Sequence, residues 1–421
     1  MGRKIFLAAG IFLLTQGMVL TDYAYAQEPP LRPFSVMYET RETWYRPFPV
    51  IHEEQEAWFR PFLLLMGTYD DNIYLTNDDE KTDWIATVSP GFIIEPELTR
   101  HKFSLDYRAD LEFFLDYDNE DTDNHTTNAA LKLDFNTFDL DFTNMFHYFS
   151  DRSGSEDVAR VPRTQDYAQV STTFDFNKLD LSLGYYYNFE NYRSDNAIGD
   201  FKGQSLTYKD LERDEHKGEI EAAFKLWPKT SLLLSGDYGL IDHDTGKKSD
   251  SEYFDGLIGL RGKPTAKCTV EGKVGYREQN YEDYDDDFDG LIFDGSLVEV
   301  FSSRDIFRLD FLRRTTDTIY KDNAYYKNSF IGAGYKHSFT DRIFGNLNFY
   351  YQRNGYPTET TEGGKTAKRK DDLWSGSIGL GYEFPKRFTV SLIYEYRIRE
   401  SNFPIFDYKN NRTSAALTAS F

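Results

Sequence analysis

The stretch Asp180-Leu-Ser-Leu-Gly-Tyr-Tyr-Tyr-Asn-Phe-Glu190 decides the fold. Its odd positions are Leu181, Leu183, Tyr185, Tyr187 and Phe189, and its even positions are Asp180, Ser182, Gly184, Tyr186, Asn188 and Glu190. A period of two held over about ten residues is a strand with one apolar and one polar face, not a helix. A second run repeats the rule: Phe388, Val390, Leu392, Tyr394, Tyr396 and Ile398 oppose Arg387, Thr389, Ser391, Ile393, Glu395, Arg397 and Arg399. Shorter runs of the same kind are Leu105/Tyr107/Ala109/Leu111/Phe113, Leu140/Phe142/Phe146/Tyr148, Leu232/Leu234/Tyr238 and Phe307/Leu309/Phe311.

The connections between runs alternate in length. Tight ones fall near 98–100, 136–138, 177–179, 227–230, 263–266, 302–304, 340–342 and 385–386. Longer charged ones fall at 116–126, 151–165, 193–213, 242–252 and 354–370. Short turns at one end and long loops at the other are the layout of a barrel that crosses an outer membrane, with the turns periplasmic and the loops extracellular. The expected fold is therefore all-β: a transmembrane antiparallel up-and-down barrel of about 18 strands, within a range of 16 to 18. The last run, Ala415, Leu417, Ala419 and Phe421, supplies a closing strand with an aromatic end.

Composition agrees with this. The chain has 421 residues, 17% aromatic, with 35 Phe and 31 Tyr. Mean hydropathy is −0.62, and no apolar stretch of about 20 residues follows the N-terminus, which excludes a polytopic helical membrane protein. The aromatic content excludes an acidic disordered chain. A net charge of −22 makes nucleic acid a poor partner, because binding it rests on phosphate contacts. The lone cysteine, Cys268, forms no internal disulfide; it alternates with Val270 and Val274 and reads as packing on the lipid face.

At the N-terminus, Arg3 and Lys4 precede an apolar run over residues 5–14, and Ala24-Tyr25-Ala26 offers a small-x-small cleavage site. Residues 1–26 read as a cleaved signal peptide, with an uncleaved anchor as the alternative. Residues 27–58 read as a periplasmic arm and 59–421 as the barrel. Arg32-Pro33-Phe34, Arg46-Pro47-Phe48 and Arg60-Pro61-Phe62 recur at intervals of 14 residues. Proline fits poorly in central strands, which places the first two copies outside the barrel.

The polar faces should line the lumen. The early strands contribute Asp106, Asp110, Glu112, Asp134, Asp139, Asp141, Asp175, Glu219, Glu221 and Asp237 against Arg108, Lys132 and Lys225. The later strands contribute Arg261, Lys273, Arg277, Arg308, Arg314, Arg397 and Arg399 beside Asp255, Glu271, Asp294, Asp310, Glu383 and Glu395. Two readings stand: an acidic and a basic wall facing each other with a transverse field between them, or charges that pair locally to fill a polar interior. Inward aromatics such as Tyr186 and Tyr350 could stack on sugars or merely pack. Asp285, Asp287, Asp289 and Gly290 have the spacing of a calcium-loop opening, but position twelve is Ser296 rather than a bidentate acid. A solvated loop is the simpler reading.

Catalysis has little support. Among the seven histidines, His243 between Asp242 and Asp244 is the one resembling an oriented base, and neither a Gly-x-Ser-x-Gly elbow nor a His-Glu-x-x-His pair occurs. No enzyme, cofactor or metal centre is expected.

The segments Gly67-Thr-Tyr-Asp-Asp-Asn-Ile-Tyr-Leu-Thr76, Lys81-Thr-Asp-Trp-Ile85, Val88-Ser-Pro-Gly91 and Leu105-Asp-Tyr-Arg-Ala-Asp110 together resemble the start of the Putative beta-barrel porin 2 family of Gram-negative outer membranes. That resemblance implies an outer-membrane pore associated with exopolysaccharide export, working by passive conduction through a charged lumen. Outer-membrane lipid and lipopolysaccharide are the partners expected of such a barrel, its acidic tips at 77–83 and 116–124 weakly bridging divalent ions near the latter. The resemblance adds a polysaccharide cargo and components of export machinery. A general or nutrient-uptake porin is the alternative, and a structural or adhesive barrel with a closed pore the second.

Overall fold

In a computed structural model, residues 58–150, 160–201, 204–282, 287–318, 320, 323–385 and 387–421 are described. The expected signal peptide and nearly all of the expected arm, with the first two Arg-Pro-Phe copies, lie outside them.

The chain runs through β1 (Phe59–Asp70), β2 (Asp83–Ile94), β3 (Lys102–Phe114), β4 (Thr122–Asp134), β5 (Phe138–Phe149), β6 (Arg163–Asp175) and β7 (Leu179–Tyr192). A small hairpin of β8 (Ala197–Phe201) and β9 (Gln204–Thr207) follows, off the wall. The wall resumes with β10 (Arg213–Trp227), β11 (Thr230–His243), β12 (Ser251–Gly262), β13 (Cys268–Tyr281), β14 (Phe288–Ser302) and β15 (Asp305–Asp317). It ends with β16 (Tyr325–Ser338), β17 (Ile343–Glu362), β18 (Lys365–Glu383), β19 (Phe388–Ser401) and β20 (Tyr408–Ser420).

Eighteen of these strands form one antiparallel sheet, β7 pairing directly with β10. β20 closes on β1 from Phe62↔Ser420 to Asp70↔Arg412. Closure leaves no edge, which lets a sheet sit in lipid with its backbone groups satisfied. Both ends of the wall lie at the same rim, together with all eight short connections anticipated from sequence.

The long connections share the opposite rim, and several differ from expectation. The expected loop 193–213 holds the β8–β9 hairpin, and β6 begins at Arg163, inside the expected loop 151–165. β4 already begins at Thr122, inside the expected loop 116–126. The expected loop 354–370 is instead the far end of β17 and β18, which run 20 and 19 residues and turn at Gly363-Gly364. Both glycines have positive φ, 56° and 80°, as a tight hairpin turn requires. The segment is polar on both faces because it stands clear of the apolar band, so it carries no apolar stripe to mark it as strand.

Burial follows the alternation but inverts the chemistry of a soluble protein. On β12, Ser251, Tyr253, Asp255 and Leu257 are buried, while Glu252, Phe254, Gly256 and Ile258 are exposed. Ile220, Leu234, Phe254, Ile258, Val274, Ile331, Phe349, Ile378 and Leu392 share that exposed outer face. The buried polar residues lie on the inner one.

The residues that carried the resemblance are structural. Asn72 ties the first loop into a knot: its Nδ2 donates to the carbonyls of Thr76 (2.8 Å) and Lys409 (2.9 Å), and its Oδ1 accepts from the Thr76 N–H. Asp70 accepts from Asn410 Nδ2 at 2.6 Å, which fastens β1 to β20. Asp83 accepts the backbone N–H groups of Leu115, Asp116 and Tyr117, which fixes the loop between β3 and β4.

Candidate functional site

The inner wall of β10–β15 carries a connected charge lattice. Glycine at 239 starts it: a Cβ there would meet the Tyr253 ring at 2.2 Å, so the ring lies flat in the space that Gly239 leaves. The Arg277 guanidinium stacks on that ring, 3.9 Å from its centroid, and grips Asp255 with two 2.7 Å hydrogen bonds. The fork geometry suits a bidentate carboxylate, and the aromatic face accepts the cation. Tyr253 donates its hydroxyl to Glu215 at 2.6 Å.

From there the lattice spreads in both directions. Arg261 bridges Glu271 (2.7 and 2.9 Å) and Glu221 (2.9 Å). Lys273 bonds Glu221 and lies 3.8 Å from Glu219. Lys217 lies 3.6 Å from Glu219 and 3.8 Å from Asp237. Arg314 reaches Asp294 at 3.2 Å, and Arg308 forks onto Asp310 at 2.7 and 2.8 Å. Residues expected on opposite walls thus meet on one wall.

The remaining candidates sit elsewhere on the inner face. Asp106 accepts from Asn128 at 2.6 Å, and Asp110 from Ser89 (2.5 Å) and Arg108 (3.1 Å). Glu112 is 3.4 Å from Arg160, and Asp134 is 3.4 Å from Arg100. Lys132 serves both Asp139 (2.9 Å) and Asp141 (3.2 Å). Asp175 pairs with Lys225 at 3.2 Å near the turn rim. Arg397 pairs with Glu395, and Arg399 donates to the Phe406 carbonyl.

Of the two candidate stacking rings, Tyr186 is covered by Lys217 Nζ, 4.0 Å from its centroid, and Tyr350 packs on Phe330 at 5.9 Å. Asp285 lies outside the described residues. Asp287 caps the Tyr281 N–H at 2.9 Å, and Asp289 sits in β14, where it accepts the Tyr276 hydroxyl. His243 ends β11; its backbone N–H donates to Asp250 at 2.6 Å, and its Nδ1 lies 3.7 Å from the same carboxylate. Among the described residues no group of three or more His, Cys, Asp or Glu could hold a metal ion.

A second construction at the loop rim was not legible in the sequence. β15 leaves β14 above the pair Phe293↔Arg313, and its last residues lean into the lumen. There Thr315 Oγ1 donates to Gln279 (2.7 Å) and accepts from Arg277 (3.1 Å). Asp317 reaches Arg213 of β10 at 2.7 Å. Beyond it, Thr318 accepts from Lys248 through its carbonyl. Tyr320 bonds Thr360 Oγ1 at 3.0 Å on the far side, and Asn323 Oδ1 accepts the Thr358 N–H at 2.8 Å. This segment therefore spans from β10–β12 to β17 across the mouth.

Arg369 anchors its far end. The guanidinium lies 3.6 Å from the Phe406 centroid, 4.5 Å from Tyr320 and 4.9 Å from Tyr356. It also pairs with Asp371 at 2.7 Å, and the two side chains are 1% and 0% exposed. Arg369 fell inside the stretch read as a loop, so no alternation flagged it. Arg213 and Asp317 were missed for a different reason: 104 residues separate them, and nothing local marks a contact across the lumen.

A profile of the family described as Putative beta-barrel porin 2 matches residues 58–421. Among solved structures, OpdK of Pseudomonas aeruginosa with vanillate is similar at 13% identity and a TM-score of 0.42, over 86% of this chain and 99% of that chain. OccAB3 of Acinetobacter baumannii is similar at 12% identity and a TM-score of 0.43, over 86% and 99%. OccK2 (OpdF) of Pseudomonas aeruginosa is similar at 12% identity and a TM-score of 0.46, over 86% and 98%. No curated protein matches the chain.

Proposed function

The chain belongs to the Putative beta-barrel porin 2 family, a barrel of the Gram-negative outer membrane, and from that premise we propose that it is a diffusion pore for small hydrophilic solutes. The observation that carries the reading is the charge lattice on β10–β15. Ionised groups of both signs line one inner face, anchored by forks such as Arg277–Asp255. Such a face suits contact with water and polar solute rather than a dry, sealed core.

Size is argued from the mouth. The contacts of Arg213 with Asp317, and of Tyr320 with Thr360, run from opposite sides to one segment over the lumen. Their packing favours passage of small solutes over passage of a polymer. Uptake of such solutes is accordingly the reading we place first. Export of exopolysaccharide, which the sequence resemblance implies, needs the spanning segment to be displaced.

The mechanism is passive. A solute exchanges part of its hydration for the fixed lattice of donors and acceptors and gives it back at the other rim. No covalent step is involved. Vesicles carrying the purified barrel should swell in small sugars and fail to swell in long oligosaccharides. Loss of surface polysaccharide in a deletion strain, together with passage of oligosaccharides, would support export instead. A barrel impermeable to both would leave only a closed structural role.

A further inference from the structure

The outer wall of β15–β17 holds an unexpected row of cations. Register places Arg313 beside Ser329 and Ser329 beside Arg353, with Lys327 two residues beyond Ser329 on the same face. Neighbouring strands lie about 4.8 Å apart, so the two arginine backbones are about 10 Å apart, with the serine between them. That gap suits one tetrahedral anion held from both sides.

Three further observations point to an anionic ligand. The Nε of Arg313 is buried and has no hydrogen-bond partner, an uncompensated donor in a wall where most buried polar groups are paired. Lys327 is exposed. Arg353 is 58% exposed and is held upright by a bidentate pair with Asp372 at 2.7 and 2.9 Å. Arg313 also marks the point where β15 parts from β14, because their pairing ends at Phe293↔Arg313. Asp289, on the neighbouring β14, is engaged by the Tyr276 hydroxyl.

Height and the surface beneath identify the occupant. Arg313 is eight residues along β15 from Asp305 at the turn rim, which at a tilt near 40° is roughly 20 Å up an apolar band about 25 Å tall. Its backbone thus lies about 5 Å below the outer edge of that band, from where a long basic side chain reaches up to the outer-leaflet headgroups. Below the row the outer face is apolar, with Phe311, Ile331 and Phe349. We propose that this face binds a phosphorylated glycolipid of the outer leaflet, its phosphate held by Arg313, Lys327 and Arg353 with the Ser329 hydroxyl donating between them, and its acyl chains lying on the apolar residues below. The proposal rests on residence in the outer membrane and is independent of what the lumen conducts.

The test uses the full-length barrel, delipidated in mild detergent, with lipopolysaccharide as the probe and native mass spectrometry as the readout. Heat-modifiable migration on gels confirms folding. The wild-type barrel should retain glycolipid. The Arg313→Gln/Lys327→Gln variant should bind it about tenfold more weakly, two charge-assisted contacts being lost. Lys409→Gln, at an equally outward and exposed cation of β20, should bind as the wild type does. Should the double variant not fold, Lys327→Gln alone should weaken binding and Arg313→Lys should keep most of it. Dephosphorylated glycolipid should bind poorly. The proposal is overturned if the wild type binds nothing, if the dephosphorylated probe binds equally well, or if Lys409→Gln loses as much as the double variant.

Discussion

The inner faces of β3–β5 and of β10–β15 draw on the same residue types and end up electrically different. On β3–β5, Asp106, Asp110, Glu112, Asp134, Asp139 and Asp141 share three cations from their own strands, Lys102, Arg108 and Lys132. On β10–β15, cations are nearly as numerous as acids and several bridge two of them, as Arg261 does with Glu221 and Glu271. One arc keeps a surplus of negative charge, and the other is a neutral lattice. Composition alone, a chain of net −22, does not distinguish them. Placement does, and it makes separate demands on stability and on ion selectivity.

The largest effect is expected on the balanced arc. Arg277→Met should leave Asp255 buried without its partner, at a cost of about 3–5 kcal/mol. Urea titration of the barrel in lipid vesicles reads this as an earlier unfolding midpoint. Adding Asp255→Leu should restore most of the loss, since removing both charges leaves no orphan. An equal loss in the single and double variants would show that the pair itself, not the stranded carboxylate, sets the stability.

The mouth provides a control outside both arcs. Arg369→Met removes the cation from three rings and strands Asp371, which is 0% exposed, again at about 3–5 kcal/mol. Because Arg369 holds the spanning segment through Tyr320, single-channel conductance should rise in the same variant. Asp139→Asn/Asp141→Asn should leave the mouth as it is, whereas Arg277→Met also loses the bond to Thr315 of the spanning segment.

A smaller effect is expected on the acidic arc. Asp139→Asn/Asp141→Asn frees Lys132 and removes two charges, so the cation-to-anion permeability ratio should fall about twofold, as weak solvent-screened fields permit. Reversal potentials under a salt gradient measure it. The corresponding change on the balanced arc, Asp310→Asn, should move the ratio less.

Much of this was legible in the sequence. The alternation in 180–190 and 388–398 gave the strands, and the alternating connection lengths gave a barrel with short turns at one rim and long loops at the other. Which residues face inward followed from parity over most of the wall, but not at the end of β15, where Thr315 and Asp317 make inward contacts although Arg308 and Arg314, of opposite parity, do so below. Pairing did not, because a period of two says nothing about which strand lies across the lumen. Asp317 and Arg213 belong to strands far apart in sequence. The hairpin of β17 and β18 was misread for a related reason: above the membrane both faces of a strand meet water, and the alternation that signals a strand vanishes.

The smallest expected effect concerns the external hairpin between β7 and β10. Burial raises the Asp210 carboxyl's proton affinity, but the Lys247 ammonium at 2.9 Å and the Thr207 N–H at 2.7 Å outweigh it and hold its pKa below the usual carboxylate range. A carboxylate depressed on folding adds stability that is full above the unfolded pKa and is lost as pH falls through the folded one. Amide exchange across residues 204–212 should therefore stay slow near pH 7 and quicken below about pH 4. Asp210→Asn should remove the pH dependence, while β10–β15 exchange unchanged.

Planar-bilayer recording of the wild-type barrel tests the central claim most directly. The account predicts stable open steps with a modest preference for cations, set by the unbalanced arc. A barrel that folds and inserts but stays silent, or one that prefers anions, would contradict it.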